Sequence, residues 1–166
     1  MRSLDASLFW QYSVSRYSVG DTAPVALVLQ DNHGVNVNVL LLLCWCLENN
    51  VVINLMQLKK VIDAASLKDE HLFRHREMRK AAHPDNGGNV AQYEALKQEE
   101  LVLEKQQQSD IVDAYNALDV AVLPSGVSLS GSSVLNASIA SFINAYGLRD
   151  SADARQLLSH LVKQLP

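Results

Sequence analysis

The stretch His83-Pro84-Asp85-Asn86-Gly87-Gly88-Asn89, HPDNGGN, is the sharpest break in the chain, and its reading decides the fold. Pro84 pushes His83 out of the α region, so a helix that reaches this point must end there. Asp85 and Asn86 favour turns, and Gly87-Gly88 permit positive φ. Asn89 is a ready N-cap. Every residue therefore serves a corner between two helices. Upstream, SLKDEHLFRHREMRKAA reads as a helix that Ser66 starts and that is polar over most of its surface. Downstream, no Pro or Gly occurs from Asn89 to Leu123, which predicts one long helix. Its seams are Tyr93, Leu96 and Leu103, then Ile111, Tyr115, Leu118 and Val122. The polar KQQQSD between them predicts a kink or break.

Charge supports the same pairing. Seven basic residues between positions 59 and 80 stand against four acidic ones, while residues 85–119 hold eight acids and two lysines. Two antiparallel helices facing each other across the corner would match these charges. The expected fold is all-α, a helical bundle with a protruding antiparallel pair at about 66–82 and 90–122.

The remaining elements follow from caps and stripes. Leu8, Phe9 and Tyr12 mark a first helix. Asp21 or Thr22 caps a second, with Pro24 in its first turn. Its APVALVLQ is apolar nearly all round and predicts deep burial, and Gly34 ends it. Asn36 or Asn38 caps a third helix carrying VLLLLCWCL. Asn54 caps a fourth with the stripe Leu55, Leu58, Ile62 and Ala65. The Ser/Gly-rich segment 124–133 reads as a linker after a helical domain over 1–123. The C-terminal pair over 134–166, broken at Gly147 and capped by Asp150 or Ser151, needs the same domain or a second chain to cover its apolar faces.

With 166 residues, 48% apolar and 19% charged, the chain has the size and composition of one globular domain. A net charge of −4 argues against nucleic acid as the partner. Cys44 and Cys46 point about 200° apart on a helix, which suits buried free thiols in a reducing cytoplasm. The nine-residue run Val39 to Leu47 is about half of what a bilayer span requires, so no membrane is expected.

The corner also resembles the loop of J-domain co-chaperones, which stimulate Hsp70 ATPases. That resemblance implies a stimulating role for His83-Pro84-Asp85 and a basic helix before it. It departs where a J-domain core would lie. Of His71, His75 and Met78 only Met78 is apolar, and Glu99-Glu100 stand in place of an Ala-Tyr pair. Burial of two such carboxylates would carry a large desolvation cost.

The N-terminal third resembles something else. Phe9, Trp10, Ser13 and Tyr17, then Leu29, Gln30, Asp31, Gly34, Val37 and Asn38, then Leu40 to Leu43 and Trp45, follow the pattern of an uncharacterised family of small bacterial helical proteins. The resemblance spans about residues 8 to 118 and carries a fold but no activity. That family usually has Asp where Asn36 stands and a shorter loop in place of HPDNGG.

Several groupings could carry chemistry. His71 and His75, one turn apart, have the spacing of two metal ligands, with His83 as a third. No HExxH motif or cysteine partner accompanies them, so they are expected to be exposed and unmetallated. No triad order, phosphate-cradling glycine loop or dinucleotide fingerprint is present. No catalytic residue, cofactor or metal is therefore assigned. The expected function is non-enzymatic protein binding through the helix pair, at Arg74, Arg76, Arg79, Lys80, His83 and Asp85. Alternatives are the J-like co-chaperone, and an enzyme or small-ligand protein with a polar pocket of Trp10, Gln30, Asp31, Asn36, Asn38 and Trp45. A homodimer through helical surfaces is a further possibility.

Overall fold

Asp5 starts the first helix, α1 (Ala6–Tyr17), its carboxylate accepting the free N–H groups of Ser7 and Leu8. The computed structural model describes residues 3–124 and 133–166. α2 (Thr22–His33) ends at Gly34, whose φ of +70° is the left-handed C-cap expected of it. Asn36 then caps α3 (Val37–Glu48) by accepting from Val39 N–H at 2.9 Å. α3 is apolar on every face and buried on every face: each residue from Asn38 to Leu47 is enclosed. It is the axis around which the other helices pack.

A two-residue strand, β1 (Val51–Val52), leads into α4 (Leu55–Ala81), started by a reciprocal Asn54/Gln57 capping box. Ser66 does not begin a separate helix. Nothing between Leu55 and Ala81 breaks the ladder, and the Ser66 hydroxyl donates back to Asp63 C=O at 2.6 Å. The corner follows as a 3-10 turn, Pro84–Asn86. Gly87 takes φ +80°, and a Cβ on Gly88 would come within 1.9 Å of the Ala82 carbonyl oxygen. The first glycine is used for conformation, the second for close approach. Asn89 caps α5 (Val90–Asn116) through Gln92 N–H.

α5 stops at Asn116, short of the expected 122. Ala121–Val122 instead forms β2, antiparallel to β1, with Val51 opposite Val122 and Val52 opposite Ala121. The expected kink at KQQQSD is absent too, because Gln107 and Gln108 turn into the core. The base of the α4–α5 pair belongs to the main core through Leu58, Val61, Ala65, Ile111, Val112 and Tyr115. Its corner half stands on a narrow seam of its own, Leu72, His75, Ala82, Leu96 and Leu103.

α2 is less buried than its composition predicts. It buries Val25, Ala26 and Leu29 but leaves Leu27 and Val28 exposed, since only one side meets α3 and α7. Of the segment 124–133 expected as a linker, residues 125–132 lie outside the described residues. α6 (Ser133–Ala145) packs on α3, α4 and β1, and α7 (Ala152–Val162), capped by Ser151, packs on α2. Phe142, Leu148, Leu158 and Leu161 join the same core cluster as α3. Cys44 and Cys46 are both buried and free, and burial pushes the Cys44 thiol up to about 12. No helix among the described residues is long and apolar enough to cross a membrane.

Candidate functional site: a trough beside the helix pair

Side-chain amides organise the region where α3 meets the helix pair. Asn38 donates to Gln107 Oε1 and to Glu104 Oε2, each at 2.7 Å. Gln107 donates to Ala65 C=O at 2.9 Å and to Asp69 Oδ1 at 2.8 Å. Gln108 donates to Ser13 Oγ and Asn38 Oδ1. Asn36, besides capping α3, donates to Asp69 and Gln107. This network fixes the register of α5 against α3 and α4.

Above it runs a trough of about 660 Å³, open along one side. α3 and α5 form its floor, with Val37, Asn38, Leu41 and Gln108. Trp10, Val14 and Tyr17 of α1 and Leu27, Gln30 and Asp31 of α2 make one wall. Arg76, Arg79 and Lys80 of α4, with Lys97, Leu101 and Glu104 of α5, make the other. The lining is mostly apolar, and all its charged residues but Asp31 come from the helix pair.

The charges on that wall are largely internal. Arg76 pairs with Glu104 and Arg79 with Glu100 at 3.1 Å, all four side chains being three-quarters buried or more. Burial works against the Arg79 cation, but Glu100 and Tyr93 outweigh it and raise its pKa. Lys68–Asp110 at 3.0 Å continues the ladder toward the base. The charge matching expected across the corner is therefore present. Burial first, then the charge of Glu104, raises the pKa of Tyr17 and keeps its phenol neutral.

The trough gathers residues from both predicted sets. Trp10, Gln30, Asp31 and Asn38 line it together with Arg76, Arg79 and Lys80. Arg74 does not; it is exposed and pairs with Glu70 on its own helix. Asn36 lies in the network beneath, and Trp45 is buried elsewhere, edge-on to Tyr115 at 5.5 Å. His83 and Asp85 sit at the corner: His83 Nδ1 accepts from Asp85 N–H at 3.0 Å, and its ring meets Tyr93 edge-on. The two histidines expected to be exposed part company. His71 is exposed, whereas His75 is buried with Nε2 3.0 Å from Glu99. Among the described residues no three His, Cys, Asp or Glu side chains gather as a metal set.

A family model described as a protein of unknown function (DUF2390) matches residues 8–111, more than half of the chain. The chain belongs to that family. No curated protein and no solved structure matches it. Every residue that lines the trough falls within the DUF2390 span, whereas β2, α6 and α7 lie beyond it.

Sequence reasoning missed Gln107, Gln108, Ser13 and Glu104 of the polar network, and Val14, Tyr17, Leu27, Lys97 and Leu101 of the lining. Three glutamines in a row read as a solvated break, because a buried amide differs from an exposed one only by what stands opposite. The available signal was that Gln107 and Gln108 lie four and three residues before Ile111, on the inward-facing seam.

Proposed function

We propose that this is a non-enzymatic binding protein whose trough receives the apolar face of a helix from a protein partner. The observation that carries the proposal is the trough's rim. Val14, Leu27 and Leu101 line it yet remain 56%, 43% and 44% exposed, on three different helices. Sites for small molecules bury most of their ligand. A cleft open along its side, with apolar side chains spilling over both lips, suits an elongated amphipathic partner instead. Several residues that carry the family resemblance, among them Trp10, Ser13, Tyr17, Gln30 and Asn38, line the trough rather than the core alone. Arg76 and Arg79 shape the wall through their pairs with Glu104 and Glu100 and are not free charges. Two buried free thiols suit a reducing cytoplasm.

The test is a quantitative co-purification with three baits: the wild-type chain, Leu27→Glu/Leu101→Glu, and Met56→Glu, a control at a 74% exposed position away from the trough. A partner held by the wild type and the control but depleted about tenfold from the double variant supports the proposal. Equal recovery by all three baits would refute it.

A further inference from the structure

We infer that the helix received by the trough carries carboxylates at the end lying against the α4–α5 corner. This deepens the binding proposal and rests on it. The argument is one of charge left over after internal pairing. On the helix-pair wall, Arg76 and Arg79 are neutralised by Glu104 and Glu100. Lys80 and Lys97 are not held in this way. Each has only an i,i+3 contact along its own helix, Lys80 to Glu77 at 3.4 Å and Lys97 to Glu94 at 3.5 Å, with all four side chains 44% exposed or more. Exposed contacts of that kind hold a side chain weakly and yield readily to a better partner. The Lys97 ammonium also lies 5.3 Å from the Tyr93 ring centre, which positions it without neutralising it.

The lining also holds one exposed acid, Asp31 of α2. The stretch of lining that α5 contributes runs from Lys97 to Gln108, so the available cations, Lys97 and Lys80, stand at the corner end of the trough. An amphipathic helix would be steered into one direction, its acidic end at Lys80 and Lys97. In a chain of net charge −4 this is a local exception, so the preference belongs to the trough and not to the molecule as a whole.

Two fluorescein-labelled peptides test this by anisotropy against the full chain. They share one leucine stripe of three to four helical turns and differ in carrying either glutamates or lysines at one end. The glutamate peptide is expected to bind about tenfold tighter. That advantage should shrink near 1 M salt, where the Debye length is about 3 Å, and vanish in Lys80→Gln/Lys97→Gln. Leu27→Asn/Leu101→Asn, which removes apolar surface without adding charge, should weaken both peptides alike. Equal affinities, or a preference for lysine, would overturn the charge inference while leaving the trough proposal standing. Binding that ignores Leu27→Asn/Leu101→Asn would overturn the trough itself. So would saturable binding of dodecanoate with neither peptide bound, which would assign the cleft to a small anion, and so would binding by none of the three.

Discussion

Gln107 is the residue on which the most separate parts of the structure depend. Its amide satisfies Ala65 C=O and Asp69 and receives Asn36 and Asn38, so four groups from two other helices lose a partner if it goes. Gln107→Ala is expected to destabilise the fold by about 2–4 kcal/mol, since it empties a fully buried position and takes one hydrogen bond from each of the four groups. Gln107→Leu, which fills the space, should recover little of that loss. Urea titration of the two variants checks both statements. The contrast with the caps shows what can be read from residues alone. Gly34, Asn36, Asn54, Asn89 and Ser151 act within three or four positions of themselves, so their letters suffice. Gln107 and Gln108 act across the fold on partners whose positions depend on the packing itself.

Between elements, the clip joining α2 to α7 has a defined pH response. Asp21 stands at the start of α2 but makes no capping bond; its carboxylate meets His160 at 2.8 Å and Gln164 at 2.5 Å. Hydrogen bonds from those two side chains hold its pKa below the ordinary value of 3.8. The folded-state value is depressed, so the contact contributes fully above that ordinary value and is lost as pH falls through the depressed one. Hydrogen exchange of α7 amides should accelerate below about pH 4 relative to the rest of the chain. Asp21→Asn should abolish the difference between acid and neutral pH. Helix existence was legible from periodicity and breakers, and the charge complement of α4 and α5 from simple counting. Helix extent was less so. A serine at an N-cap and one in mid-helix are the same letter, and only the donation from Ser66 to Asp63 tells them apart. The two-residue strands carry too little pattern to be seen in advance.

At the scale of the molecule, α6 and α7 complete a core that the DUF2390 span leaves open. Phe142, Leu158 and Leu161 are essentially inaccessible, and Ser138 accepts the buried Ile53 N–H at 3.0 Å. Deleting everything after residue 124 removes several side chains worth about 1.5–3 kcal/mol each, comparable to the total stability of a domain. The truncated chain is expected to lose its cooperative thermal transition and bind a hydrophobic dye, whereas the full chain should melt in one step. Calorimetry with dye fluorescence tests both. The all-α bundle could be read from caps, stripes and breakers. The trough could not, because it is the space left between α1, α2 and the helix pair, and no single stretch encodes a gap.

The short clasp of β1 with β2 also bears on how the molecule folds. It joins strands separated by about seventy residues of chain, a span whose direct closure is entropically slow. Zipping α4 against α5 from the HPDNGGN corner brings the two strands together first, through contacts that are local in sequence. Each halving of the effective loop then lowers the closure penalty by about 0.6 kcal/mol. The favoured route is corner, then helix pair, then clasp, so the turn at Pro84 to Asn89 sets how readily β1 and β2 find each other.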